Sequence, residues 1–212
     1  MTRGRFIAFE GGEGMGKSTQ ARLLADWLQR DGVTVELTRE PGGTPGAEAI
    51  RNLLLSPPGE GWTPEAEALL FAAARADHVA RRIRPALDAG SWVVCDRFID
   101  SSRAYQAIAG GLGDDKVSQL HRIGSAGLLP DLTLLIDAPN DAVAARLAKR
   151  DGDISDAIGG RAADYHAAVN AAFRDFANTE PDRFAVIDGS GSIEEVHQQV
   201  MAAISQRFEV TA

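Results

Sequence analysis

A glycine-rich turn near the N-terminus constrains the fold more than any other part of the sequence. Residues 11 to 18 read Gly-Gly-Glu-Gly-Met-Gly-Lys-Ser, which matches the pattern G-x-x-x-x-G-K-[ST]. An apolar stretch at 6 to 9 precedes the turn, and an amphipathic segment from Thr19 to Arg30 follows it. This pattern between a strand and a helix predicts a parallel α/β unit whose turn binds nucleotide phosphates. Lys17 is then expected to reach the β- and γ-phosphate oxygens, and Ser18 to bind Mg²⁺.

Short apolar stretches alternate with amphipathic ones along the rest of the chain. We expect strands at 5–10, 34–38, 92–95, 133–137 and 184–188, and helices near 17–30, 45–55, 64–89, 115–127, 140–149, 162–178 and 193–207. This alternation predicts a three-layer α/β fold, in which a five-stranded parallel sheet carries helices on both faces. Ligands of such sheets bind at the carboxyl ends of the strands, where this sequence places Glu10, Arg39, Asp96, Asp137 and Asp188.

Composition limits the class of protein. A length of 212 residues suits a single domain, 1–212, in which the polar segment at about 150–161 is expected to form a short mobile lid. The net charge of −8 argues against a nucleic-acid binder. The single cysteine, Cys95, excludes an internal disulfide and a cysteine-based zinc cluster. Without an apolar run of membrane-spanning length or a signal-peptide core, the chain is expected to be soluble and cytoplasmic, with no membrane partner.

Two further turns carry polar groups suited to phosphate chemistry. Asp96 and Arg97 follow the apolar stretch 92–95, so the acid is a candidate Mg²⁺ ligand and the arginine a candidate phosphate clamp. Residues 38–45 (TREPGGTP) form either a second phosphate-binding element or an ordinary Pro-Gly-Gly turn, and the residues alone leave both readings open.

Several stretches, in this order, resemble the bacterial thymidylate kinases. They are 9–14 (FEGGEG), 38–44 (TREPGGT), 67–75 (EALLFAAAR), 96–102 (DRFIDSS), 104–106 (AYQ) and 130–137 (PDLTLLID). The resemblance covers most of the chain. It implies the P-loop NTPase fold and transfer of the γ-phosphoryl group of ATP to dTMP, with Mg²⁺ as cofactor and ATP and dTMP as ligands. It also implies a homodimer formed through helices that flank the monophosphate site.

The resemblance further implies two sets of binding residues. ATP is expected to contact Gly11, Gly12, Glu13, Gly14, Met15, Gly16, Lys17, Ser18, Thr19 and Arg146, and dTMP to contact Arg39, Arg51, Phe71, Arg75, Arg97, Ser102, Tyr105 and Gln106. Phe71 and Arg75 lie one helical turn apart, so a base stacked on the ring would present its edge to the guanidinium. By resemblance, Tyr105 lies against C2′ of the sugar and leaves no room for a 2′-hydroxyl.

The lid departs from the family pattern. One subclass has an arginine inside the glycine-rich turn, where this chain has Gly14, and the subclass without it uses basic residues of the lid. The usual lid motif Asp-Arg-apolar-Glu is replaced by Asp-Ala-Ile-Gly at 156–159. Our hypothesis is that Arg150 supplies the main transition-state charge, helped by Arg146, Lys149 and Arg161. The expected catalytic group is Glu13, Lys17, Asp96, Arg97, Arg150 and Arg161, with Ser18 and Asp96 as metal ligands.

Two other functions stay open at this stage. One is a kinase for another nucleotide or for a deoxynucleoside, although Arg75 favours the keto oxygen of a pyrimidine because arginine can only donate hydrogen bonds. The other is a nucleotide-binding switch without transferase activity, which the altered lid would suit. The four histidines, His78, His121, His166 and His197, are expected to be packing or surface residues.

Overall fold

The computed structural model describes residues 3–139 and 157–208. Five strands form one sheet: β1 (Phe6–Glu10), β2 (Val35–Arg39), β3 (Trp92–Asp96), β4 (Leu132–Asp137) and β5 (Phe184–Asp188). All the strand pairs are parallel, and the spatial order is β2-β3-β1-β4-β5. The predicted five-stranded parallel sheet is therefore confirmed, with strand boundaries within one residue of those expected.

Helices between the strands and after the last strand cover both faces of the sheet. They are α1 (Lys17–Arg30), α2 (Pro45–Leu55), α3 (Pro64–His78), α4 (Arg84–Asp88), α5 (Ile99–Ser102), α6 (Asp114–Ser125), α7 (Ala163–Thr179) and α8 (Ile193–Arg207). Thr44, Thr63 and Ser192 cap α2, α3 and α8, each accepting a hydrogen bond from a backbone N–H in the first turn. The helix predicted at 140–149 lies outside the described residues.

Two wider helical turns depart from the sequence-based prediction. The helix expected as one piece over 64–89 contains a π-helical segment, Val79–Ile83, between α3 and α4. A second π segment, Arg103–Ala109, continues α5, and the sequence analysis missed this whole helical stretch. A π turn inserts a residue and breaks the 3.6-residue spacing on which the prediction relied, which accounts for the omission.

The hydrophobic core has a part on each face of the sheet, and the central strand, β1, lies between the two parts. All five residues of β1 are buried, as expected for a parallel strand covered on both faces. On one face Leu24 and Leu28 of α1 pack with Val200 and Ile204 of α8. On the other, apolar side chains from the segment 79–88 pack against Phe6 and Phe98.

The register of the sheet gathers the strand ends at one edge. Phe9 pairs with Asp96, Asp96 pairs with Arg39, and Asp137 pairs with Asp188. The polar residues predicted at the carboxyl ends therefore lie along one edge, which is where parallel sheets bind ligands. Cys95, at the fourth position of β3, is fully buried. Within the described ranges, no helix has the length and apolar character needed to cross a membrane.

Candidate active site

The glycine-rich turn joins β1 to α1 and has the backbone angles that a phosphate-binding loop needs. Gly11, Gly14 and Gly16 have φ values of 136°, 69° and 86°, a region that side-chain-bearing residues rarely adopt. A Cβ atom on Gly11 would lie 2.4 Å from the carbonyl oxygen of Ile136. Gly16 precedes the first turn of α1, so the free N–H groups of the helix face the turn. Met15 is 3% exposed and anchors the loop in the core.

Lys17 is buried at the start of α1. Its Nζ donates to the carbonyl oxygen of Gly12 at 2.5 Å, across the turn. Burial lowers the pKa of Lys17 to about 7, and the charge of Arg97 lowers it as well, while Asp96, Glu10 and Glu13 oppose this effect. A phosphate group beside Nζ would restore the charge of the ammonium group, as the predicted role of Lys17 requires.

Ser18 and Asp96, the two predicted metal ligands, are in contact. The hydroxyl of Ser18 donates to Oδ2 of Asp96, so the first turn of α1 meets the end of β3. A hydroxyl and a carboxylate are oxygen donors of the kind that Mg²⁺ prefers. The described residues contain no group of three or more His, Cys, Asp or Glu side chains that could hold a metal ion. Mg²⁺ bound here would therefore take its remaining ligands from the nucleotide and water.

Arg97 extends from the strand end into the site. It adopts a φ of 69°, which is unusual for a residue with a side chain, and its guanidinium donates to the carbonyl oxygen of Gly11 at 3.1 Å. It also donates to Ser101 Oγ at 3.0 Å and to Tyr105 OH at 3.3 Å. Burial by itself would lower the pKa of Arg97, but the surrounding oxygen groups, including Glu10, raise it, so the side chain remains charged.

A cleft opens beside Arg97. Its lining brings together most of the predicted dTMP contacts, together with Glu13 of the glycine-rich turn: Arg51, Phe71, Arg75, Arg97, Ser102, Tyr105 and Gln106. The remaining lining residues, which the sequence analysis did not single out as contacts, are Glu40, Pro41, Leu55, Phe98, Ser101 and Ile158.

Arg75 is held in place at the floor of this cleft. It is 4% exposed, and its Nε donates to Glu40 at 2.7 Å, while Nη2 donates to Ser102 Oγ at 2.8 Å. Glu40 also contacts Nδ1 of His78 at 3.0 Å, and Nε2 of His78 contacts Thr38 Oγ1 at 2.7 Å. Burial would raise the pKa of Glu40, but Arg75 and His78 lower it below its ordinary value. Arg75 is therefore preorganised by a buried ionic network.

The two other arginines predicted to contact dTMP, Arg39 and Arg51, lie in different places. Arg51 lines the cleft and donates to the carbonyl oxygen of Pro41 at 2.8 Å. Arg39 lies outside it, in a second cleft shared with Ser18 and Asp96, where its exposed side chain is 3.3 Å from Glu48. Arg51 thus lies with the other predicted dTMP contacts, whereas Arg39 lies in the same cleft as Ser18 and Asp96, the two predicted metal ligands.

Glu10 is a site residue whose role the sequence did not reveal, although its position at a strand end was noted. Its fully buried carboxylate accepts from the backbone N–H of Phe98 at 2.8 Å and of Ser101 at 2.9 Å, and from Ser101 Oγ at 2.6 Å. Burial, and secondarily Asp100, raises the pKa of Glu10 to about 7. The segment 98–101, which directly follows Arg97, is thus joined by hydrogen bonds to the end of β1.

The described end of the predicted lid lies against the cleft. Ile158 is buried and packs with the cluster that includes Tyr105, Phe71 and Leu55. The N–H of Ala157 lies 3.4 Å from the carbonyl oxygen of Leu55. The guanidinium of Arg161 contacts Glu67 and Tyr165. Arg146, Lys149 and Arg150 lie outside the described residues.

Comparison with known proteins agrees with this geometry. The family model described as thymidylate kinase matches residues 9–200. A thymidylate kinase of Rhizorhabdus wittichii is 55% identical over 95% of this chain and 97% of that protein. One from Symbiobacterium thermophilum is 46% identical over 95% of this chain and 92% of that protein.

A solved structure of a thymidylate kinase is also similar to this chain. The crystal structure of thymidylate kinase from Ehrlichia chaffeensis covers 95% of this chain and 99% of its own, with a TM-score of 0.78 and 34% sequence identity. The parallel sheet and glycine-rich turn of this chain, together with the structural match, identify a P-loop NTPase fold. The chain belongs to the thymidylate kinase family.

Proposed function

We propose that the protein transfers the γ-phosphoryl group of ATP to dTMP, giving dTDP and ADP for dTTP synthesis. The observation that carries this proposal is the cleft in which Phe71, Arg75 and Tyr105 lie next to Arg97 and the glycine-rich turn. A base, a sugar and a phosphate each find a partner of suitable chemistry there. The family membership supports the same activity.

The geometry favours a keto pyrimidine as the acceptor base. Phe71 offers a ring face to a planar base, and Arg75 offers only hydrogen-bond donors. Since Glu40, Phe98 and Ser102 fix the guanidinium, Arg75 meets the O4 acceptor of thymine without reorganisation. An amino group at that position would place two donors against each other, which disfavours cytosine.

Phosphoryl transfer in this site is mainly a matter of position and charge. The free N–H groups of the glycine-rich turn and Lys17 would hold the donor phosphates, while Arg97 would orient the acceptor phosphate. Mg²⁺ bound by Ser18 and Asp96 would neutralise charge on the transferring group. We further propose that Arg150 supplies the remaining positive charge. Glu13 lines the cleft, and we propose that it acts near the acceptor sugar and the metal.

We also propose that the protein acts as a cytoplasmic homodimer. The buried thiol of Cys95 suits a reducing compartment. Three exposed apolar side chains lie on α2, α3 and α6: Leu53, Leu69 and Ile123. The helix α3 packs against both α2 and α6, so the three side chains lie on neighbouring helices, where we propose that the partner binds.

The test is ADP release from ATP and Mg²⁺ with dTMP as acceptor, beside dUMP, dCMP, thymidine, TMP with a 2′-hydroxyl, and no acceptor. Turnover with dTMP, weaker turnover with dUMP and little with the others is the expected result. Preferential turnover of thymidine would favour a deoxynucleoside kinase. Tight ATP binding without acceptor-dependent ADP would favour a nucleotide-binding switch.

A further inference from the structure

Arg161 joins three elements around the acceptor cleft. One terminal nitrogen, Nη2, donates to Oε2 of Glu67 on α3. The other, Nη1, donates to the hydroxyl of Tyr165 on α7 at 2.5 Å, and the guanidinium carbon lies 4.7 Å from the centre of that ring. Both terminal nitrogens of the guanidinium therefore donate hydrogen bonds to protein groups, in a geometry that arginine can adopt and lysine cannot.

Each acceptor in turn holds one wall of the cleft. Oε1 of Glu67 accepts from Nε2 of Gln106 at 2.8 Å. The hydroxyl of Tyr165 donates to the backbone oxygen of Tyr105 at 2.7 Å. Tyr105 and Gln106 are consecutive residues of the π segment, and both line the cleft. Two chains of hydrogen bonds, which we call arms, thus run from the guanidinium of Arg161 to the cleft lining. One passes through Glu67 to Gln106, and the other passes through Tyr165 to Tyr105.

Charge makes this arrangement depend on Arg161. The side chain of Glu67 is 11% exposed, and both of its oxygens are used within the network. Without Arg161 its carboxylate would be a buried, uncompensated negative charge behind a site for an anionic nucleotide. Burial would lower the pKa of Arg161, but Glu67 and Tyr165 raise it, so the ion pair persists at neutral pH.

We propose that Arg161 is a positioning residue for the acceptor nucleotide: through Glu67 and Tyr165 it fixes Gln106 and Tyr105, and with them the fit of a 2′-deoxynucleoside monophosphate. This inference rests on the proposed function and replaces the earlier hypothesis that Arg161 helps to neutralise the transferring phosphoryl group. The family resemblance implies that Tyr105 excludes a 2′-hydroxyl, and on that expectation the selectivity for the deoxy sugar depends on the arm that holds Tyr105.

The two roles differ in what they do to the kinetics. A positioning residue acts on the bound acceptor, so Arg161→Ala is expected to raise KM and Kd for dTMP about tenfold and to change kcat by less than about threefold. KM for ATP should stay within about twofold. The preference for dTMP over TMP carrying a 2′-hydroxyl should fall several-fold, because the arm to Tyr105 is lost.

Three further variants separate the network from a general loss of structure. Arg161→Lys keeps the charge but cannot hold both acceptors, so its Kd for dTMP should lie between those of the wild type and Arg161→Ala. Glu67→Gln combined with Arg161→Ala removes the uncompensated charge and should recover part of the dTMP affinity. Arg30→Ala, an exposed arginine at the far end of α1, should match the wild type.

Calorimetric titration of dTMP in the absence of ATP, run beside steady-state kinetics, decides between the roles. A loss of two or more orders of magnitude in kcat with an unchanged Kd for dTMP would assign Arg161 to the phosphoryl group and overturn the proposal. Wild-type values for both quantities in Arg161→Ala would overturn it as well. A wild-type protein that neither binds nor phosphorylates dTMP would instead contradict the proposed function itself.

Discussion

Lys17 is a buried cation whose charge depends on what the glycine-rich turn holds. With a pKa of about 7 in the ligand-free protein, it is mostly neutral at pH 8. ATP phosphates beside Nζ favour the ammonium form, so the complex binds more protons than the free protein above pH 7. ATP binding should therefore take up close to one proton at pH 8, and the affinity should fall as pH rises from 7 to 9. Calorimetric titrations in two buffers of different ionisation enthalpy measure this uptake.

Glu10 is a second group that can take up a proton in the same pH range, because its pKa is also about 7. Glu10→Gln removes this titration and keeps an oxygen that can accept from the N–H groups of Phe98 and Ser101. Proton uptake at pH 8 should persist in this variant. A binding heat that no longer depends on the buffer would show that Glu10, and not Lys17, takes up the proton.

Arg75 should matter to the stability of the fold as well as to recognition. Removing its side chain leaves the Glu40 carboxylate, 4% exposed, without its guanidinium partner. Arg75→Ala is expected to lower the free energy of unfolding by about 3 kcal/mol, the usual result of breaking a buried ion pair. Urea denaturation measures the change.

A surface pair on the same helical stretch supplies the comparison for Arg75. Arg81 pairs with Asp77, but its side chain is 72% exposed, so Arg81→Ala should cost less than about 1 kcal/mol. Replacing both buried partners, Arg75→Ala with Glu40→Gln, should recover part of the lost stability. Equal losses from Arg75→Ala and Arg81→Ala would contradict the importance of burial.

Single residues of the site were predictable where a motif or a resemblance covered them. Lys17, Ser18, Asp96 and Arg97 follow from patterns with a known phosphate chemistry, and the structure brings all four together around the glycine-rich turn. The partners that hold the site together were not predictable, since Glu40 and His78 are 38 residues apart and meet only in the folded chain. No local spacing signals a contact of that kind.

At the scale of elements, periodicity found the regular helices and failed where a helix is widened. The π segment Arg103–Ala109 buries both Tyr105 and Gln106, two consecutive residues that a regular amphipathic pattern would not predict to share a buried lining. The same departure from 3.6-residue spacing that hid this helix supplies two neighbouring contacts to the cleft. The sequence pattern was least regular at an element that shapes the site.

The segment 157–161 acts on the cleft through Ile158. This side chain is 9% exposed and belongs to the apolar cluster that borders the cleft. Ile158→Ala should remove part of the wall and raise KM for dTMP about tenfold, which corresponds to a loss of about 1.4 kcal/mol of binding free energy. KM for ATP should change little. Steady-state kinetics with each substrate varied in turn measures both values.

Ile193→Ala is the matched control for Ile158→Ala. Ile193 is the first residue of α8, it is 54% exposed, and it does not line the cleft. Its loss should leave KM for dTMP unchanged. A similar rise of KM in both variants would mean that Ile158 acts through global stability, and no rise in either would remove Ile158 from the acceptor site.

At the scale of the whole molecule, the order of the strands decides where chemistry can occur. β1 lies between β3 and β4, so the turn after β1 is flanked by the end of β3, which carries Asp96. The alternation of strands and helices predicted this sheet. It could not reveal the strand order, because the neighbours of β1 in the sheet are not its neighbours in the chain.

The exposed apolar side chains of α2, α3 and α6 lead to a prediction about assembly. Ile123 is 83% exposed and Leu69 is 55% exposed, so water contacts two large apolar groups that a partner surface would cover. An arginine at position 123 would be a buried, unpaired charge in such an interface. Ile123→Arg should therefore raise the dimer dissociation constant at least about tenfold, as analytical ultracentrifugation over a dilution series would measure.

Val186→Arg is the control for this prediction: it changes an apolar residue that is 59% exposed on β5, and it should leave the dimer intact. If Val186→Arg dissociates the dimer and Ile123→Arg does not, the interface lies at the β5 edge, and if the wild-type protein sediments as a monomer at every concentration, the proposed homodimer is wrong.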